Sequence, residues 1–142
     1  MPDGNGSDAA CLSDPQVRRA LGSVDAYMPN LREAQRLTGA SDVHAALRAL
    51  NEVCRLVVIK AGADGAYALA RGSAPVHAPA IPVTPVDTTG AGDSFNAGFV
   101  RAWLEGRPLA ECLRWGNAVG GLSTTAPGVK RVIKEADVAP YV

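Results

Sequence analysis

Aromatic side chains make up only 5% of the sequence, and they are scattered along it. That is too few for the row of stacked rings on which a single-stranded nucleic acid lies. An excess of either charge is lacking too, since fourteen Lys and Arg stand against fourteen Asp and Glu. Without net charge there is no long-range pull towards a phosphate backbone or an anionic bilayer, so neither nucleic acid nor membrane is expected as a partner. Cysteines are few, odd in number and isolated: Cys11, Cys54 and Cys112 have neither the paired spacing of a zinc site nor the density of a disulfide scaffold. They read as reduced thiols. His44 and His77 have no ligand pattern around them and are expected to be structural or solvent-facing. No apolar run approaches the roughly 20 residues of a membrane span. The opening "MPDGNGSDAA" has neither the basic nor the apolar segment of a secretory signal, so a cytoplasmic protein is expected. A GxxxxGK[ST] phosphate loop is missing, as is a dinucleotide fingerprint after an early strand.

What is present is an alternation of strand-like and helix-like segments within 142 residues, enough for one buried core. "SDPQVRRALG" reads as a helix capped by Asp14, with Pro15 in its first turn and Gly22 at its end. "SVDAYMP" reads as a short strand stopped by Pro29. "NLREAQRLTG" reads as a helix capped by Asn30 and closed by Gly39. In "SDVHAALRALNEV" Ser41 is the expected cap, and Val43, Leu47 and Leu50 share a face. "RLVVIK" is a β-branched run of the kind buried in parallel sheets, and "AGADGAYALARG" adds a turn and another strand. "PVHAPAIPVTPVD" is extended, its prolines favouring an edge or crossing position. A helix is expected to open at Asp93 and run through Phe95, Phe99, Trp103 and Leu104. Another runs from Leu109 to Leu122 and carries Gly116, Gly120 and Gly121. Glycine costs a helix about 0.5–1 kcal/mol per position relative to Ala, so this cluster points to close approach by another backbone or a ligand. The pattern implies a three-layer α/β fold with a mainly parallel sheet, in which ligands gather at the carboxyl ends of strands.

The stretch "DTTGAGDSFNAGF", residues 87–99, lies at such an end. Its glycines allow a tight strand-to-helix turn with Asp93 or Ser94 as a cap. They equally allow backbone N–H groups to face a phosphate. The residues of this stretch alone leave both readings open.

Four segments in order, "PNLREAQRLTG", "VVIKAGADGAYAL", "VDTTGAGDSFNAGF" and "WGNAVGGLSTTAPG", resemble the C-terminal half of the ribokinase-like, or PfkB, carbohydrate kinases. The resemblance covers nearly the whole chain. It implies an ATP-dependent kinase that phosphorylates a hydroxyl of a small sugar-like substrate. In it Asp93 is the general base, while Gly90, Ala91, Gly92 and the Asp93 backbone form an anion hole. A helix N-terminus suits that task because its unpaired N–H groups and partial positive charge meet the negative phosphoryl oxygens.

The same resemblance places Asn30 and Glu33, an N-x-x-E pair, in the magnesium-phosphate region through water. A helix cap followed by a first-turn acid accounts for that pair as well. It places Lys60, Gly62 and Gly65 on the nucleotide side and Asn117 beside the adenine pocket. A plain turn and a locally bonded Asn are the structural alternatives. Asp87 and Thr89, with the backbone around Ser123, Ala126 and Gly128, would surround a monovalent cation such as K+. The resemblance further implies that the N-terminal sheet and substrate lid are absent, leaving the fold incomplete on that side. Residues 1–142 then form a single C-terminal portion. The alternative function is a catalytically silent fragment that binds nucleotide or packs on a partner, and self-association or a partner chain is expected.

Overall fold

The computed structural model describes residues 11–127 and 132–142. Gly128 and the first ten residues lie outside that range. The described residues divide into two compact units: the chain up to Ile59 with Ala68–Pro75, and Lys60–Tyr67 with Val76 to the end.

In the first unit helix α1, Pro15–Gly22, starts where Asp14 accepts the Gln16 N–H and Pro occupies the first turn. Helix α2, Leu31–Thr38, has a reciprocal capping box between Asn30 and Glu33 and ends on a left-handed Gly39. Helix α3, Val43–Asn51, is capped by Asp42, whose carboxylate accepts from the Ala45 N–H. Ser41 is therefore one residue short of the true cap. Both types cap well, and local propensity does not choose between neighbours. Strand β1, Leu56–Lys60, follows. Its Leu56, Val57, Val58 and Ile59 are at most 5% exposed, so a strand apolar on both faces is covered within this chain. The expected strand in "SVDAYMP" reduces to a parallel bridge from Tyr27 to Val57. Asn51 Nδ2 donates to Cys54 O and Leu69 O, tying the end of α3 to the strands.

Strand β2 is Ala66–Ala70 and β3 is Val76–Ala78, and the sheet order is β1-β2-β3, with β3 on an edge. Ala61 N–H donates to Gly65 O, and Arg71 N–H to Arg55 O. Those two bonds fix β1 and β2 as an antiparallel hairpin around the 3-10 turn Gly62–Asp64.

The second unit is built on two long helices, α4, Ala91–Leu104, and α5, Leu109–Ser123, followed by the short α6, Glu135–Val138. Helix α4 begins two residues before Asp93, because Gly90 adopts the left-handed conformation and turns the chain directly into the helix. The helix glycines are explained by proximity. A Cβ on Gly116 would lie 2.6 Å from the Phe95 ring, and one on Gly98 would lie 2.7 Å from Trp115 O. The seam between α4 and α5 thus has no room for a methyl group at either point. Phe99, Ala102, Leu113 and Ala118 are fully buried. All three cysteines are free, and burial pushes the Cys54 and Cys112 thiols up. Among the described residues no helix is long and apolar enough to cross a membrane. The large apolar side chains left exposed there, Val24, Val86, Leu104, Val132 and Val142, are dispersed along the sequence.

The seam makes opposite forecasts for two Gly→Ala changes. Gly98→Ala forces a methyl group against backbone and is expected to destabilise by about 1–3 kcal/mol, the usual range for overpacking. Gly22→Ala meets only Val53 O, at 3.7 Å, at the end of α1. It is expected to be neutral or to stabilise by about 0.4–1 kcal/mol. Urea denaturation midpoints measure both.

Candidate active site

The chemistry-bearing stretch enters α4 through three local devices. Val86 and Asp87 N–H groups both donate to Thr124 O, at 2.7 and 3.0 Å, holding the stretch to the end of α5. Asp87 Oδ1 then accepts the Thr89 N–H at 2.9 Å. Gly90, with φ at 77°, makes the last turn. Ala91 N–H is spent on Thr88 O, and the Ser94 N–H on Gly90 O. The Gly92 and Asp93 N–H groups have no acceptor among the described residues. They are the helix's unsatisfied donors, at its positive end.

Asp93 stands in the first turn of α4 and is exposed. Among the described residues its carboxylate has no hydrogen-bond or ion-pair partner, so it is not consumed as a cap. Lys60 reaches this turn from the end of β1. Its Nζ donates to Asn96 Oδ1 at 3.0 Å, and a methyl group on Gly92 would stand 3.6 Å from the same Nζ. Asn96 was passed over in reading the sequence, although it lies three residues after Asp93, on the same helix face.

The expected nucleotide-side residues divide. Gly62 opens the 3-10 turn and is exposed. Gly65 is buried, and a Cβ on it would fall 2.1 Å from Ala78 O, so its lack of a side chain is explained by backbone packing. Asn117 is buried in α5, and its Nδ2 donates to Ala78 O and Pro79 O at 3.0 and 2.9 Å. It also lines an apolar recess of about 180 Å³ with the Pro79–Pro82 segment, Arg114 and Tyr141. Asn30 and Glu33 lie in the first unit and bond each other: Asn30 N–H to Glu33 Oε1 at 3.0 Å, Glu33 N–H to Asn30 Oδ1 at 2.8 Å. Of the residues expected around a monovalent cation, Ser123 turns its hydroxyl to Gly120 O, while Asp87 is held beside Thr124.

Among the described residues no three of His, Cys, Asp and Glu gather as a metal site. The available carboxylate oxygens suit a magnesium ion that keeps most of its water and is held chiefly by phosphates. The donors at the α4 turn, Lys60 and the apolar recess suit the phosphates and base of a nucleotide.

The sequence model of the pfkB family carbohydrate kinases matches residues 4–136. The chain belongs to that family. It is 41% identical over 104 residues to a cytidine kinase of Thermococcus kodakarensis, covering 70% of this chain and 37% of that protein. It is 34% identical over 135 residues to a ribokinase of Haemophilus influenzae, covering 91% and 42%. Among solved structures, Arabidopsis thaliana ribokinase complexed with ribose and ATP superposes with a TM-score of 0.79 at 30% identity, over 87% of this chain and 42% of that one. Vibrio cholerae fructokinase bound to fructose, ADP and calcium gives 0.77 at 31%, over 88% and 43%. The fold of this pfkB chain is the α/β ribokinase fold with a small incomplete sheet, and the chain spans less than half the length of these relatives.

The two glycines of the turn are expected to respond in opposite directions. Gly90→Ala puts a side chain on a left-handed residue and should cost about 1–2 kcal/mol. Gly92 is helical, and its substitution by Ala makes only ordinary contact with Lys60 Nζ. That change should stabilise by up to about 1 kcal/mol. Thermal denaturation midpoints of the two variants test the assignment of the turn.

Proposed function

We propose that this chain carries the phosphoryl-transfer site of an ATP-dependent kinase acting on a hydroxyl of a small sugar or nucleoside. The observation that carries the reading is the first turn of α4. There an unpaired carboxylate, Asp93, and two unspent N–H groups, of Gly92 and Asp93, share one turn with the Lys60 ammonium close by. A hydroxyl is a poor nucleophile until its proton has somewhere to go, and Asp93 accepts it as the oxygen attacks. The N–H groups meet the phosphoryl oxygens, whose charge must be held during transfer. Their orientation is set in advance by the Gly90 turn and by the bonds to Thr124 O, so no reorganisation is needed when charge develops.

The recess beside Asn117 takes the adenine, its apolar wall of Pro79–Pro82 giving a surface for the base. Gly62 and Gly65 shape the hairpin turn on the nucleotide side. Magnesium, when bound with the nucleotide, neutralises phosphate charge. Asp87 and Thr89, beside the negative carbonyl end of α5, would hold a monovalent cation such as K+.

A second reading retains nucleotide binding alone, which the recess beside Asn117 and the N–H donors of the α4 turn serve without an acceptor. In it, the chain binds nucleotide without turnover and acts with a partner chain. Isothermal titration with ATP, with and without magnesium, and a coupled ADP-release assay over a panel of sugars and nucleosides separate the two. Binding with acceptor-dependent ADP release supports the kinase, and binding without release supports the silent unit. No binding at millimolar nucleotide refutes both. Where turnover is seen, Asp93→Asn is expected to lower kcat by about 10²–10⁴-fold, the usual share of general acid-base catalysis. The nucleotide Kd should stay within about threefold, because Asn keeps the size of the side chain and loses only its ability to take the proton.

A further inference from the structure

Tyr141 is a ring that the second unit holds in place without packing it away. Helix α6 leads into a 3-10 turn, Ala139–Tyr141, and several contacts fix that path. Val138 is buried, at 1% exposure. Glu135 Oε2 accepts from Arg101 Nη2 of α4 at 3.2 Å, and the Arg101 guanidinium lies 5.3 Å from the centre of the Trp115 ring of α5. Asp137 Oδ2 accepts the Lys134 N–H at 2.9 Å and closes the first turn of α6. Pro140 then restricts the backbone one residue before Tyr141. Yet Tyr141 is only half-buried, and among the described residues it has neither a hydrogen bond nor a ring partner. Phe95, Phe99 and Trp115, by contrast, are at most 4% exposed and belong to the core.

What Tyr141 does line is the apolar recess of about 180 Å³ beside Asn117. The groups that share it offer a flat base few hydrogen bonds. Asn117 has spent both Nδ2 protons, on Ala78 O and Pro79 O, while Pro79 and Pro82 have no N–H to give. Arg114 is exposed, and its guanidinium is satisfied by water. Binding in the recess therefore comes from surface contact, and Tyr141 brings the only aromatic ring to its lining. We propose that Tyr141 is a base-binding residue whose ring stacks on the heterocycle of the bound nucleoside triphosphate. This rests on the kinase reading above and deepens it, because it assigns base affinity to α6 and the turn after it. That stretch lies beyond the four segments that resemble the family. Stacking tolerates a change of base, since every base has a π-face, so the ring contributes affinity more than selectivity.

Tyr141→Phe keeps the ring and Tyr141→Ala removes it. The full chain and both variants, checked for folding by circular dichroism melts, are titrated with magnesium-ATP. They are titrated again with the magnesium complex of 2-aminopurine riboside triphosphate, whose emission falls when its base stacks on a ring. Tyr141→Ala is expected to weaken both ligands by about 5–150-fold, the range for loss of one base-aromatic stack. Tyr141→Phe should stay within about threefold of the unmodified chain. Emission extrapolated to saturation should be quenched in the unmodified chain and in Tyr141→Phe, and should stay bright in Tyr141→Ala. Failure of the unmodified chain to bind either ligand at millimolar concentration overturns the kinase reading and this proposal together. ATP binding with a probe that is bright or unbound in the unmodified chain overturns the role of Tyr141 alone. So does unchanged affinity in Tyr141→Ala. Weakened binding with the quench intact in Tyr141→Ala overturns it too, because the ring then supports the recess without touching the base.

Discussion

The second unit depends on a seam where glycines on each of two helices leave room for the other helix to pack directly against their backbone. Gly98 and Gly116 let α4 and α5 approach until the Phe95 ring lies where a Gly116 side chain would be. The position of the first turn of α4, and so of Asp93, follows from that contact, since Phe95 is only two residues further on. Helix α5 carries a second stripe one residue round. Asn117 donates to Ala78 and Pro79 carbonyls, and a side chain on Gly121 would strike Ile81. The run "GNAVGG" is therefore two interleaved stripes at four-residue spacing, Gly116 with Gly120 and Asn117 with Gly121. One stripe receives a helix and the other an extended segment. The glycines lower helix propensity, and the close packing they permit outweighs that cost.

Local signals were legible and long-range ones were not. Asp14, Asn30 and Gly39 do what their residue types announce, because a cap is decided within four residues. The hairpin turn at Gly62–Asp64 was visible for the same reason. Asp42 displaced Ser41, and α4 began at Ala91 before the residue that looked like its start. Both are shifts of one or two positions, within the ordinary uncertainty of helix ends. The expected strand in "SVDAYMP" contracted to one bridge, since pairing is settled by a partner some thirty residues away and not by the segment's own apolarity.

The site shows the same division. Asp93 and the glycine turn stood out because they are contiguous in sequence. Asn117 is singled out by resemblance alone, and its bonds reach back 38 and 39 residues, where no spacing rule reveals them. Lys60 and Asn96 are 36 residues apart, on a strand end and a helix, and meet only when the chain is folded. Gly65, read for the nucleotide, is also demanded by the backbone of Ala78. A residue with a sufficient packing explanation gains nothing further from its place in a motif.

Helix α5 also works as a measuring rod. The segment from Ala78 to Asp87 has little regular structure, yet it is fastened to α5 at Asn117 and again at Thr124. Those two points are seven residues apart, or about 10 Å along a helix rising 1.5 Å per residue. One fastening is at the apolar recess and the other at the entry to the α4 turn. Their separation is set by the rigid repeat of a helix, however the intervening segment moves. In the kinase reading proposed above, a ligand with an apolar end and an anionic end would be selected by its length as well as by its groups.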